Sequence, residues 1–496
     1  MAEKLSKEIN DNTQKFKDVF KDADDVVFRN IQLGKKNKKD ACLIFIDGLV
    51  DKTVISDYAI EVLFEETELD QADLSSYKAS LSERISKEYI AVHDVKEESS
   101  FEKLVEMILS GETVLLIDGA DTALLLSTRG WPTRSVQEPQ TETVPRGPRD
   151  GFVETLRFNT ALIRRHIKDP NLKVKTMQVG RRSKTNIAVM YIQDIANETI
   201  VNEVINRIQK IDIDALSGSS NLESLIEDYY LSPFPQIENT ERPDSAAASL
   251  YEGRVVIIVD NTPFVLIVPA TVGTLFQSTE DYYGRWIMGS LVRFVRILSA
   301  ILTAITPALY ISFTAYHPGL MPTAFTLHLA ASRVNVPFPA VVEAFLMETT
   351  IEILRESGTR IAGPIGTTIG IVGGIIIGQA AVEAGIVSPL NIIITALTTI
   401  SSFAMPSLEL ASSLRVIRFI LMFLAAILGL YGVVLGIIIL MVHLAKLESF
   451  TVPFSAPYSG LGLKEGDLKD TLVKAPLQHL KYRPKFTFPK DKRRMR

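Results

Sequence analysis

Through residues 1–285 the apolar positions come in short runs, spaced either every second residue or every third to fourth. Two runs end in Asp-Gly, within ACLIFIDGLVD (41–51) and ETVLLIDGADTALLLST (112–128). A β-prone run followed by Asp-Gly predicts a strand and a turn, because glycine reaches positive φ without a Cβ clash. The second run resumes with alternating apolar residues, which predicts a hairpin. Helical spacing predicts helices over 57–70 and 100–111. A Pro-, Thr- and charge-rich loop, 129–151, follows. Beyond it the pattern predicts a helix over 152–167, a hairpin of 171–180 and 185–195 joined by GRRSK, and a helix over 198–211. RVVIIVDNTPFVLIVP (254–269) is apolar enough to resemble a span. Its central Asp260-Asn261 and Pro263 predict instead a hairpin of buried strands.

After DYYGRWIMGSLVRFVR the pattern changes to long apolar runs. A basic, aromatic flank of this kind suits a cytosolic membrane surface. Ile297 to Thr314 can span. Residues 319–339, broken by prolines and Arg333, read as re-entrant or interfacial. AVVEAFLMETTIEILRESGTR (340–360) sets Glu348, Glu352, Arg355 and Glu356 on one helical face, which predicts an amphipathic helix on the membrane or against a partner. Residues 390–404 make a further, short span candidate. Residues 414–447 make one long tilted helix or a tight pair, since about 20 residues suffice to cross.

GPIGTTIGIVGGIIIGQAAVEAGI (363–386) carries a pattern of its own. At roughly 100° per residue, Gly366, Gly370, Gly374 and Gly378 form one stripe, and small residues in that register let helices approach closely. Thr368, Val372, Ile375, Gln379 and Glu383 form a second stripe, roughly opposite. A carboxylate in a span faces a bundle interior or water, or else marks the helix end at the headgroups. The polar stripe therefore fits a pore and fits a packed bundle.

Charge sharpens this division. Residues 1–285 hold 34 Lys+Arg and 47 Asp+Glu, residues 286–446 hold eight and six, and residues 447–496 hold eleven and five. The reading is an acidic α+β soluble N-terminal region of two subdomains (1–137 and 138–285), an α-helical polytopic membrane domain (286–446, four to six embedded segments) and a basic tail (447–496). The charged N-terminus lacks the apolar core of a signal peptide, so the acidic region and the tail are expected in the cytosol. Three prolines from Pro476 onward make the tail a flexible arm. With both ends inside, the crossings are even in number, and in a four-crossing arrangement Arg415 and Arg418 fall on the wrong side.

Catalytic chemistry finds no foothold. Cys42 is the lone cysteine, so an internal disulfide and a cysteine metal site are excluded. The histidines are scattered, without metal-ligand spacing, and His317 reads as an interfacial loop residue. VGRRSKT (179–185) lacks the glycines of a phosphate loop, because Ser183 and Gln178 occupy their places. No enzyme activity, cofactor, metal or nucleic acid is expected.

EPQTETVPRGPRDGF (138–152) and PFPQIENTERPD (233–244) resemble signature segments of the A subunits of bacterial spore germinant receptors, the GerA family. YHPGLMPT (316–323) and residues 363–389 resemble it too, and the likeness runs from the first subdomain to the last helix. Pro145 stands where an aliphatic residue is commoner. The resemblance implies a receptor subunit in the spore inner membrane, with a transporter-like B subunit and a lipoprotein C subunit as partners. It implies a homo-oligomeric ring that conducts monovalent cations when nutrient is sensed. With the polar stripe lining the pore, Glu383 would attract cations and Val372 or Ile375 would form the constriction. The alternative is a non-conducting signalling scaffold. A secondary transporter is disfavoured by the absence of an internal repeat.

Overall fold

The computed structural model describes residues 4–33, 39–56, 95–130, 138–139, 141–360, 378–458, 460–461 and 467–495. The helix expected over 57–70 lies outside them. The chain forms two compact units. The first comprises residues 1–227, 237–269 and 481–496, and the second comprises 228–236 and 270–480.

The first unit is built on two five-stranded antiparallel sheets. One contains β1 (Val26–Leu33), β2 (Lys39–Ile46), β3 (Val95–Glu98), β4 (Thr113–Ile117) and β5 (Ala123–Leu126), in the order β1-β2-β4-β5-β3. The Asp-Gly turns fall where the pattern put them, with Gly48 at φ +94° and Gly119 at +85°. A Cβ on Gly48 would also sit 2.9 Å from the carbonyl oxygen of Arg157, so this turn needs glycine twice over. Helices α1 (Ile9–Val19) and α2 (Phe101–Leu109) cover one face, with Phe16, Leu104 and Ile108 buried against Cys42, Ile44 and Val114.

The second sheet contains β6 (Leu172–Val179), β7 (Thr185–Ile192), β8 (Glu238–Thr240), β9 (Val255–Val259) and β10 (Val265–Val268), in the order β6-β7-β9-β10-β8. Every residue of β9 and β10 is buried, and Asn261 takes φ +67° in the turn between them. This is the buried hairpin that the Asp-Asn turn predicts. Lys184 stands at φ +46°, exposed, in the β6–β7 turn. Helices α3 (Leu156–His166), α4 (Glu198–Gln209), α5 (Ser219–Ile226) and α6 (Pro243–Tyr251) complete the unit. Arg164 of α3 and Asp25, both buried, pair bidentately (2.7 and 2.8 Å), tying the second subdomain to the first.

The tail is not a free arm. Residues 481–496 fold with the first unit, where Thr487 donates to the carbonyl of Glu252 (2.8 Å) and Lys490 pairs with Glu198 (2.7 Å). The prolines break helix but leave short 3-10 turns whose polar groups find partners.

The second unit is helical: α7 (Trp286–Ile311), α8 (Thr323–Ser332), α9 (Ala340–Arg360), α10 (Pro389–Phe403), α11 (Leu408–Leu428) and α12 (Leu430–Lys446). Among the described residues, α7 with its continuation to Tyr316, and α11, are long and apolar enough to cross a membrane; α10 and α12 are apolar but shorter. The run over 414–447 is a tight pair, broken at Gly429 (φ +59°). Large apolar side chains such as Phe294, Ile400, Phe403, Phe423 and Tyr431 face outward.

The interior carries polar and charged groups: Arg293, Thr303, Glu343, Glu348, Asn391, Thr398 and Arg418 are all buried. Where α7 begins, Arg293 and Arg296 hold Asp281 (2.9 and 2.8 Å), and Arg293 also holds Asp470 of the folded tail segment (3.1 Å).

Candidate functional site

The two signature segments interlock in the first unit. Glu241 accepts from the Thr141 amide (3.1 Å) through its side chain and from the Phe152 amide (2.8 Å) through its carbonyl. Arg242, buried, forks onto Asp244 (3.1 and 2.9 Å) and donates to the carbonyls of Glu142 (3.2 Å) and Pro148 (2.9 Å). Thr240 donates to Glu142 Oε2 (2.6 Å). Burial pushes the Glu142 carboxyl up to about 7, the Thr240 bond opposing and Glu238 and Glu241 adding to it. Arg242 does little to hold it down, since its fork is spent on Asp244. The sequence marks these segments as unusual but gives no sign that they meet.

In the helical unit, the charged face of α9 runs from the interior to the surface: Glu348 is buried, Glu352 and Arg355 are half-buried and Glu356 is exposed. Glu348 lies 3.1 Å from Arg418, and Glu352 accepts from Arg415 and lies 3.8 Å from Arg418. Arg355 reaches Ser402 (3.0 Å) and stacks over the Phe403 ring. Opposite charges at helical spacing on 340–360 and at Arg415 and Arg418 were a legible complement that the sequence reading did not join. The neighbouring Ser413 bonds to Pro233, next to Ser232, which bonds to His443 at the end of α12 (2.9 Å). Arg415 thus sits near the end of the bundle where α12 finishes.

At the other end of α9, Glu343 is fully buried. It accepts from the Ser388 amide (2.6 Å), faces the first turn of α10 and lies 3.4 Å from Arg333 and from the Tyr310 hydroxyl. A carboxylate at a helix N-terminus satisfies free amides and the helix dipole together. No spacing in the sequence predicts this meeting of 310, 343 and 388.

Of the glycine stripe, Gly366, Gly370 and Gly374 lie outside the described residues. Gly378 is buried, and a Cβ there would meet Ile392 of α10 at 3.7 Å. Of the polar stripe, Thr368, Val372 and Ile375 also lie outside. Gln379 and Glu383 are exposed on the helical turn of residues 378–383 and hydrogen-bonded to each other (2.9 Å). Gly385, at φ +66°, follows the end of that turn. Among the described residues, no group of three His, Cys, Asp or Glu side chains is placed to hold a metal ion.

These features define a protein class: an α+β region of two sheets, joined to an apolar helical unit with charges in its interior. The model of the Bacillus/Clostridium GerA spore germination protein family matches residues 14–486. Spore germination protein B1 of Bacillus subtilis (strain 168) is 43% identical over 492 residues, covering 99% of this chain and 100% of that protein. Spore germination protein KA of the same organism is 44% identical, covering 94% and 84%. The crystal structure of the N-terminal domain of the A subunit of the Bacillus megaterium spore germinant receptor GerK3 covers 54% of this chain and 98% of that one, at 32% identity and a TM-score of 0.42. The chain belongs to the GerA family of spore germination proteins.

Proposed function

We propose that the chain is the A subunit of a spore nutrient germinant receptor, a multi-pass protein of the spore inner membrane. In this reading it assembles as a ring with further copies, beside B and C subunits, and passes monovalent cations when nutrient is sensed. The N-terminal region and the tail lie in the cytosol. The observation that carries the proposal is the exposure of Gln379 and Glu383 on the turn whose Gly378 is buried. A carboxylate displayed outward from an apolar helical unit needs water or a polar partner, and a water-filled ring supplies it. A ring of carboxylates attracts cations, and a ring of branched apolar residues closes the path by excluding water.

The test is ion flux across vesicles containing the assembled receptor. Val372→Ala widens the proposed constriction and should leak without nutrient. Ile371→Ala, about 100° away on the helix, should not. Equal behaviour of the two removes the pore assignment and leaves a non-conducting scaffold.

A further inference from the structure

The charged cluster between α9, α10 and α11 is not closed by the groups that form it. It contains three guanidinium cations, Arg355, Arg415 and Arg418, and two carboxylates, Glu348 and Glu352. A guanidinium stays protonated at any pH a protein tolerates, so these five groups carry one whole positive charge in excess. Arg418 and Glu348 are fully buried, yet neither has a hydrogen-bonded partner among the described residues: their 3.1 Å contact is misaligned. A small rotation pairs them. It leaves Arg355 Nε and Arg415 Nε, both buried and both without acceptors among the described residues, and it leaves the extra charge of these five groups. Three of the four remaining nitrogens of these two side chains are already placed. Arg415 Nη1 donates to Glu352, Arg415 Nη2 to Ser412 (2.7 Å) and Arg355 Nη2 to Ser402 (3.0 Å).

Buried donors without acceptors are costly, and an uncompensated buried cation more so. Water answers the first deficit but not the second. An anion with several oxygens answers both, because guanidinium and phosphate oxygens match in geometry as well as charge. The cluster reaches the surface of the unit, since the Arg415 side chain is 22% and the Glu352 side chain 36% exposed. Val416 and Ile353, exposed and apolar, lie one residue from Arg415 and Glu352 along their helices.

We infer that Arg355, Arg415 and Arg418 form a binding site for a phosphate-type anion, either the headgroup of an acidic phospholipid or free phosphate. The apolar flanks suit the headgroup, as basic pockets between apolar helices do.

The experiment uses the full chain, purified in detergent and stripped of lipid, so that it does not depend on channel activity or on a ring. The unfolding midpoint is followed against dioctanoyl phosphatidylglycerol, dioctanoylglycerol (which lacks the phosphate) and inorganic phosphate, and apparent affinities are taken from the shifts. Phosphatidylglycerol should raise the midpoint and dioctanoylglycerol should not. Arg415→Gln and Arg355→Gln should each weaken binding by about tenfold, the scale of one charge-assisted hydrogen bond. Arg415→Lys keeps the charge and the pairing with Glu352, so it carries the test if the glutamine variants do not fold; it should fall between them and the wild type. Arg285→Gln, an exposed arginine outside the cluster, should bind as the wild type does. An equal response to inorganic phosphate at matched concentration assigns the site to the free anion. No response to either phosphate, an equal response in the arginine variants, or an equal loss in Arg285→Gln overturns the inference.

Discussion

Glu142 makes the interlock of the two signature segments dependent on pH. Its carboxyl is raised from 4.5 to about 7, chiefly by burial. Below about pH 4.5 it is neutral whether the segment is closed or open. As pH rises above 4.5 the opened segment releases its proton while the closed one keeps it, so opening becomes easier. Above about pH 7 both forms are ionised and the penalty is complete. A rise of about 2.5 units at 1.36 kcal/mol each gives about 3–4 kcal/mol, or roughly 300-fold in the opening equilibrium. Glu142→Gln keeps an oxygen for the Thr240 hydroxyl and has no proton to lose, so its opening should stay level across this range.

The assay is amide exchange in the full chain, read on the peptide that contains Phe152, whose amide bonds to Glu241. After correction for the intrinsic pH dependence of exchange, protection reports local opening. Wild type and variant should coincide near pH 4.5 and diverge up to pH 7, with the variant better protected, and the gap should then stay constant. Parallel profiles, or a wild type better protected at pH 8, would refute the assignment of a buried, proton-holding carboxyl.

Asp25→Asn leaves the buried Arg164 guanidinium without its counter-charge and should cost about 3–5 kcal/mol in denaturant unfolding. Replacing both residues with apolar ones of similar volume should cost much less. Gly432→Ala would place a Cβ on the Leu424 carbonyl oxygen where α11 and α12 turn back on each other. It should lower the unfolding midpoint of the full chain, whereas Gly319→Ala, with open space around it, should leave the midpoint unchanged.

The turns of the first unit were legible because they rest on local chemistry. Asp47-Gly48, Asp118-Gly119 and Asp260-Asn261 each announce a reversal, and the apolar runs beside them had only one way to be buried. The α11–α12 break was half legible: Gly429 stood in the sequence, but one long helix and a pair have the same composition. What was not legible depends on residues far apart in the chain. Arg164 finds Asp25 across 139 positions and Glu142 finds Thr240 across 98, and neither partner differs locally from a solvated charge. The burial of Glu348 on the charged face of α9 was not legible for a related reason. Amphipathicity says that one face is polar but not whether water or other charges receive it. The lack of helix propensity after Pro476 was read as lack of structure, although 3-10 turns and side-chain bonds hold that segment.

The division of the chain has a mechanical consequence. The backbone passes between the two units at 227/228, 236/237, 269/270 and 480/481, so four covalent connections join them rather than one. A single cleavage at any one of these connections leaves three others intact, so it does not by itself detach either unit. Residues 481–496, which follow the helices in the chain, close over Glu198 and Glu252 of the first unit. The first unit is thus completed by chain that lies beyond the whole helical segment.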